Sequence, residues 1–345
     1  MTILVTGGAG YIGSHAVQRL LNDGHRVVVL DNLDRGHREA VDALRGMEGV
    51  GADQLSFEAG DIADGGLVGA LMRDHGVDTV MHFAALAYVG ESVHEPLRYH
   101  RVNTAGAISL LEAADGAGVS RFIFSSTCAT YGEPGADEIP IHEGVVQRPI
   151  NPYGASKLAV ERVLADYSAK QRADGKAFSY AALRYFNVAG SDPTGLIGED
   201  HDPETHLIPV ILQAALGKRD GVTIFGTDYA TEDGTCVRDY IHVCDLVDAH
   251  VAVMNALEPG DARLYNLGIG RGYSVREIID AAKRVTRKEF PVREGERRAG
   301  DPPVLYAEAG KIGRELGWKA KYTDIDEIIA TAWRWFEKHP DGYAS

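Results

Sequence analysis

Short apolar, β-branched runs at 3–6, 27–30, 56–58, 79–83 and 122–125 alternate with stretches of helical apolar spacing such as 12–22 and 97–117. Most of the runs end in polar or glycine-rich turns, and they read as buried strands. Strand and helix alternating in this way predict βαβ units and a parallel sheet. A long helical stretch follows Pro152 and reaches about residue 173, and 179–186 reads as a further strand. After Asn187 the texture changes. Residues 187–206 are rich in Gly, Pro, Asp and His, which predicts long functional loops rather than packed layers. Short helices are expected at 207–216, 244–257, 274–285 and 323–338, and no internal repeat or low-complexity tract occurs.

Composition narrows the picture. With 345 residues, 45% hydrophobic and 25% charged, the chain has an ordinary globular composition, long enough for one large domain or two smaller ones. No run approaches the ~18 apolar residues of a membrane span, and the N-terminal residues lack the basic start and longer apolar stretch of a signal peptide. A net charge of −15 argues against nucleic acid or anionic membrane as a partner, so an anionic ligand needs a local cationic site. Three unevenly spaced cysteines (Cys128, Cys236, Cys244) make neither a disulfide framework nor a zinc ribbon, which fits a reducing, cytoplasmic setting.

Gly7, Gly10 and Gly13 follow the first strand and open the first helix in a Gly-x-x-Gly-x-x-Gly pattern. Without side chains the backbone N–H groups can approach a pyrophosphate, and the helix N-terminus adds partial positive charge. The second strand ends at Asp31, 24 residues beyond Gly7, where a carboxylate can accept from an adenosine ribose. With no Arg or Lys at 31–33, a 2′-phosphate would be repelled, so NAD is expected rather than NADP, although Arg35 lies nearby. Asp61 and Ile62 end the third strand, placed to meet an adenine.

Tyr153 and Lys157 stand four residues apart, on one face of the helix that begins after Pro152. A phenol with an ordinary pKa of ~10 is a poor base at neutral pH. A neighbouring ammonium stabilises the phenolate, so Tyr153 could exchange a proton with a substrate hydroxyl. Taken alone, Tyr-x-x-x-Lys is a common surface pattern. Its place after a nucleotide loop and after a strand ending in hydroxyl residues gives it weight.

The ordered series of motifs resembles the extended short-chain dehydrogenase/reductase superfamily and, within it, the UDP-glucose 4-epimerases. It comprises 6–15, 30–33, 82–85, 89–93, 122–127, 151–157, 184–187, 226–229, 237–243 and 297–301, so the likeness spans nearly the whole chain. The resemblance implies that Tyr153 takes the proton of the sugar 4-hydroxyl while bound NAD accepts the C4 hydride, which returns to the opposite face of a 4-ketose. It implies that Lys157 holds the nicotinamide ribose and tunes Tyr153, and that Thr127 bonds the same sugar oxygen. Gly7, Gly10, Tyr11, Ile12, Asp31, Asn32, Asp61, Ile62, Phe83, Ala84, Ala85, Asn103, Ser125, Tyr153, Lys157 and Tyr185 match cofactor-contacting positions. Asn187, Leu207, Thr223, Phe225, Arg238, Arg298 and Asp301 match positions that hold the UDP-sugar, joined by Thr127, Tyr153, His206 and Leu305. There are departures: Ala87 replaces a lysine of some relatives, His206 an asparagine, and Leu305 a tyrosine that lines the sugar pocket.

The expected fold is a Rossmann-like doubly wound parallel sheet, residues 1–186 with 239–268 returning to it, and a smaller, interleaved α/β nucleotide-sugar domain over 187–345. Local likeness at 87–91 and 125–131 to UDP-xylose/UDP-arabinose 4-epimerases leaves a pentose substrate open, and UDP-N-acetylglucosamine is a further alternative. A sugar-nucleotide 4,6-dehydratase would carry an acid and a base after the hydroxyl residue, where this chain has Cys128 and Ala129. A non-catalytic NAD-sensing regulator would tend to lose the Tyr–Lys pair. The stretch 200–206 is dense in potential metal ligands but lacks a helical His-x-x-x-His pattern, so no metal is expected. The resemblance also implies a homodimer through helices 97–117 and 152–173.

Overall fold

The structure, a computed structural model, describes residues 1–298 and 302–343. Asp301, one of the expected sugar-nucleotide residues, lies outside them. Seven strands form the main sheet: β1 (Thr2–Thr6), β2 (Arg26–Asp31), β3 (Leu55–Ala59), β4 (Thr79–His82), β5 (Arg121–Thr127), β6 (Ser179–Tyr185) and β10 (Ala262–Leu267). Their order is β10-β6-β5-β4-β1-β2-β3. The pairs β1/β2, β2/β3, β1/β4 and β4/β5 are parallel, with Val5 in register beside Val29 on one side and Met81 on the other. The apolar runs are continuous because helices cover both faces, and Leu4, Val28, Val80, Phe122 and Ala182 share one buried core.

Those helices are α1 (Tyr11–Asn22), α2 (Arg38–Arg45), α3 (Gly65–His75), α4 (Val89–His94), α5 (Pro96–Tyr99), α6 (Gly106–Ala117) and α7 (Pro152–Ala173). At the start of α7, Asn151 accepts from the Gly154 N–H at 2.8 Å, and Pro152 takes the first turn, where no N–H is needed. The single helix expected over 97–117 is instead α5, a π-helical segment (His100–Ala105) and α6. The wider turn carries Asn103, whose amide is bonded to Leu86 and Ser156 rather than to its own helix. The chain walks outward from β1 to β3 and then returns to the other side of β1 as β4. That reversal opens a crevice at the carboxyl ends of β1 and β4, the switch point where such sheets bind nucleotides.

A second compact unit comprises Glu133–Val145, Tyr185–Leu246 and Asn266–Ser345, and the first takes Met1–Gly132, Val146–Arg184 and Val247–Tyr265. In the second unit β9 (Val237–His242) pairs with β7 (Asn187–Ala189), β11 (Gly272–Ser274) and β13 (Val304–Leu305). Beside them β8 (Val222–Phe225) pairs with β12 (Val292–Gly295). Strand β9 is held in the smaller sheet by three partners, and Val247–Tyr265 groups with the first unit. Helices α8 (Leu207–Ala215), α10 (Val275–Thr286) and α12 (Ile325–Lys338) supply Ile211, Ile278 and Trp335 to this unit's core. Two further helices complete the set, α9 (Val243–Ala256) and α11 (Gly310–Leu316). A capping box starts α10: Ser274 Oγ accepts from the Glu277 N–H at 3.1 Å while Glu277 Oε2 accepts from the Ser274 N–H at 2.7 Å.

Candidate active site

Gly7 sits at the switch point with φ +71°, and a Cβ there would lie 2.5 Å from the Ala84 nitrogen after β4. No side chain fits between β1 and β4. A Cβ on Gly10 would meet nothing closer than the Gly7 carbonyl at 3.4 Å, so packing does not demand this glycine, whereas close approach of a phosphate would. Gly10 also caps α1 without a side-chain bond, and the first turn, with Tyr11 and Ile12, holds no acid. An acid-free first turn leaves the positive end of the helix favourable to an anion.

Asp31 closes β2 as a buried carboxylate. Its Oδ2 accepts from the Ala9 N–H and its Oδ1 from the Leu33 N–H, both at 2.9 Å. Burial pushes its pKa up, and these two bonds oppose the shift. Asn32 Nδ2 donates to Asp61 Oδ2 at 3.1 Å, joining the ends of β2 and β3, while Ile62 is buried next to Gly106. Arg35 pairs with a carboxylate on α4. Its Nη2 donates to Glu91 Oε1 at 3.0 Å and its guanidinium lies 4.8 Å over the Tyr88 ring. After β4, Phe83 and Ala84 both donate to the Thr6 carbonyl, and Ala85 follows, half-buried.

Tyr153 is buried in the first turn of α7, edge-on to Tyr99 with ring centroids 6.5 Å apart. One turn on, Lys157 Nζ donates to the Ser125 carbonyl at 2.9 Å and lies 5.1 Å over the Phe124 ring. Burial pulls this ammonium down to about 7. His82, also buried, is lowered to about 3 by burial and then by Lys157, so it is neutral, with Nδ1 2.7 Å from Thr6 Oγ1. Thr127 ends β5, and its Oγ1 accepts from the Ala129 N–H at 3.1 Å, capping a short 3-10 turn through Cys128. A hydroxyl that accepts this bond can also donate its hydrogen to a ligand oxygen.

Two supports have roles that a reading of the sequence alone does not give, one of them Asn103, expected there as a cofactor-contacting position. Asn103 bonds both backbone groups of Leu86 at 2.8 and 2.9 Å and Ser156 Oγ at 3.0 Å, and Ser156 Oγ donates to the Tyr153 carbonyl at 2.7 Å. Asn103 thus ties the loop after β4 to the first turn of α7. Below Thr127, Ser126 Oγ donates to Glu161 Oε1 at 2.5 Å, and Glu161 pairs with Arg184 at 2.6 Å inside the protein. Arg184 also donates to the Tyr131 hydroxyl at 2.9 Å. Breaking such a buried pair by removing one partner costs ~3–5 kcal/mol. The signal available in sequence was the spacing of Glu161, four residues after Lys157 on one helix face.

In the second unit Thr223 and Phe225 alternate along β8, and the Arg298 guanidinium lies 4.0 Å over the Phe225 ring. Leu305 stands in register beside Arg238, which has Tyr273 on its other side. Arg238 Nη1 donates to the Val237 carbonyl at 2.8 Å. Asn187 opens β7 opposite Tyr240, Tyr185 ends β6 half-buried, and His206 and Leu207 begin α8. Thr223, Phe225 and Arg298 thus form one group and Arg238 and Leu305 another.

A glycine-lined helix start at the switch point, an acid closing β2 and a Tyr–Lys pair on α7 define an enzyme of the doubly wound, nucleotide-cofactor class. The chain belongs to the NAD dependent epimerase/dehydratase family, which matches residues 3–268. It is 49% identical over 346 residues to a UDP-glucose 4-epimerase of Lacticaseibacillus casei, covering 99% of each chain. It is 47% identical to a probable UDP-arabinose 4-epimerase of Oryza sativa subsp. japonica, over 99% of this chain and 84% of that one. Its fold superposes with a TM-score of 0.93 on UDP-glucose 4-epimerase from Bifidobacterium longum in complex with NAD+ and UDP, at 39% identity over 99% and 100% of the two chains. The family and the fold class expected from the ordered motifs are those found.

Proposed function

We propose that the chain is an NAD-dependent UDP-sugar 4-epimerase that interconverts UDP-glucose and UDP-galactose in the cytoplasm. The observation that carries the chemistry is the buried Tyr153–Lys157 turn of α7, with Lys157 bonded to the Ser125 carbonyl beside Thr127. Gly7, Gly10, Tyr11 and Ile12 would take the pyrophosphate, Asp31 and Asn32 a ribose, and Asp61 and Ile62 the adenine side. The crowded Gly7 and the open Gly10 fit that use. Phe83, Ala84, Ala85, Ser125, Lys157 and Tyr185 would line the nicotinamide end. When bound, NAD supplies a reversible hydride acceptor, so no net oxidation occurs.

The chain's own groups do the proton work. Tyr153 takes the proton from the sugar 4-hydroxyl and later returns it, Lys157 favours the phenolate, and Thr127 donates to the same oxygen. Cys128 and Ala129 supply neither the acid nor the base that elimination of water would need. Asn187, His206, Leu207, Thr223, Phe225, Arg238, Arg298 and Asp301 would hold the UDP-sugar, the arginines on diphosphate oxygens. Arg35, engaged by Glu91, favours NAD over a 2′-phosphorylated cofactor.

The resemblance to UDP-arabinose epimerases supports a second substrate, a UDP-pentose, since the C4 chemistry is unchanged. Among the described residues no helix is long and apolar enough to cross a membrane. Exposed Leu97 and Ile108, within 97–117, support the homodimer expected through that segment. The decisive assay incubates purified protein with UDP-galactose and no added nucleotide. UDP-glucose should form, and a requirement for stoichiometric NADH would overturn the reading.

A further inference from the structure

Glu199, His201, Glu204 and His206 converge in the loop that precedes α8, with one ligand atom from each within 4.8 Å of all the others. His201 Nδ1 lies 3.2 Å from Glu199 Oε1 and 3.6 Å from Glu204 Oε2. His206 Nδ1 lies 3.1 Å from Glu199 Oε1 and 2.9 Å from Glu204 Oε1. Ligand atoms on a tetrahedral zinc ion, with bonds of about 2.0–2.1 Å, stand about 3.4 Å apart. These separations bracket that edge length, with the two histidines meeting different oxygens of Glu204, one of which would bind the ion. We propose that these four side chains form a site for one divalent transition-metal ion of zinc type, which clamps the 199–206 loop to the start of α8.

The donor set suits such an ion. Two imidazole nitrogens, which are borderline ligands, beside two hard carboxylate oxygens favour zinc or a similar transition metal over magnesium or calcium. The carboxylates are side chains only 6% and 2% exposed, and two of them neutralise a dication in a buried setting. Glu204 is already oriented: its Oε1 accepts from the N–H groups of Thr205 and His206, both at 2.7 Å, and its carbonyl accepts from Arg219 Nη2 at 2.9 Å. Outer contacts of this kind fix ligands in metal sites. The expectation of no metal rested on the missing helical His-x-x-x-His pattern, but an irregular loop folds the two histidines together without it. Asp200, inside the ligand-dense stretch, instead accepts from the Tyr343 N–H at 2.8 Å, and Glu199, just outside it, supplies the fourth ligand. The inference does not depend on the epimerase reading, and His206, assigned above to the UDP-sugar, would meet the ion through Nδ1 alone. Two imidazolium ions paired with two carboxylates would make the same contacts without a metal, and experiment separates the two.

Full-length protein, treated with a chelator and dialysed, is titrated with Zn²⁺ against a chromophoric competitor, and with Co²⁺ while its ligand-field absorption is followed. One ion per chain, the intense Co²⁺ bands of a tetrahedral site and a rise in Tm on adding Zn²⁺ are expected. The double variant Glu199→Gln/His201→Ala, checked for folding by circular dichroism, should bind at least ~10²-fold more weakly. Should the double variant not fold, Glu199→Gln alone should weaken binding by at least ~10-fold. Uptake below one ion per chain, weak octahedral Co²⁺ bands, or wild-type affinity in the variants would overturn the proposal.

Discussion

Arg35 Nη2 donates to Glu91 Oε1 at 3.0 Å, an ion pair between the loop after β2 and helix α4. Arg98 and the Tyr99 hydroxyl join the same carboxylate, at 3.1 and 2.8 Å. The pair engages the guanidinium of Arg35, four residues after Asp31, the acid proposed to hold the ribose. Glu91→Gln keeps an acceptor for Tyr99 but removes the charge that competes for Arg35. We expect that variant to narrow the preference for NAD over NADP by roughly fivefold, the worth of an ion pair of about 1 kcal/mol. Calorimetric titration of cofactor-free protein with both nucleotides checks it, and an unchanged ratio would mean that Asp31 alone sets the choice.

Replacing Tyr153 with phenylalanine keeps the ring that packs on Tyr99 and removes only the hydroxyl. Cofactor content should remain as in wild type, while kcat falls by at least ~10²-fold through loss of general-base work. Turnover within a few-fold of wild type would remove Tyr153 from the proton path.

Lys157 makes stability depend on pH. Burial lowers its pKa from 10.5 to about 7. Below about pH 7 folded and unfolded chains both carry the proton, and the fold bears the full cost of a buried ammonium. As pH rises, the folded chain sheds the proton first and the cost shrinks until both states are neutral, near ~10.4. Cofactor-free wild type should therefore gain stability relative to Lys157→Met between about pH 7 and about pH 9, by more than ~1 kcal/mol. Urea unfolding of both proteins at the two pH values measures this. A constant difference would mean that the ammonium is solvated in the folded state.

What could be read from sequence was whatever a local pattern determines. The runs at β1, β2, β4 and β5 are nearly continuous in apolar and buried residues because both sheet faces are covered, and Tyr153–Lys157 gained meaning from its order after the glycine loop. The missing parts depend on distant partners. Helix α3 starts with Gly65, Gly66 and Gly69 and forms because Asp64 caps Leu67 and because Val68 and Met72 are buried. Strand β12 reads Val-Arg-Glu-Gly, without strand periodicity, and exists because Val292 pairs with Val222, 70 positions away. The pairing of Glu161 with Arg184 and the convergence of Glu199 on two loop histidines are likewise tertiary facts.

Leu305 offers the sharpest test of substrate choice. It lies in register beside Arg238, one of the residues proposed to hold the nucleotide diphosphate, in the short strand β13. A tyrosine at the matching position of relatives would crowd a sugar's C2 substituent, whereas leucine is shorter and lacks the hydroxyl. Turnover of UDP-N-acetylglucosamine is therefore expected beside that of UDP-glucose and UDP-galactose. A UDP-pentose, lacking only the C6 hydroxymethyl, should turn over more slowly, since a lost apolar contact of that size costs ~1–3 kcal/mol. Leu305→Tyr should suppress the N-acetylated substrate while sparing UDP-galactose, read as kcat/KM for each by product separation. Equal loss on both substrates, or no wild-type turnover of the N-acetylated sugar, would show that neighbouring side chains fill the space and that Leu305 is not the gate.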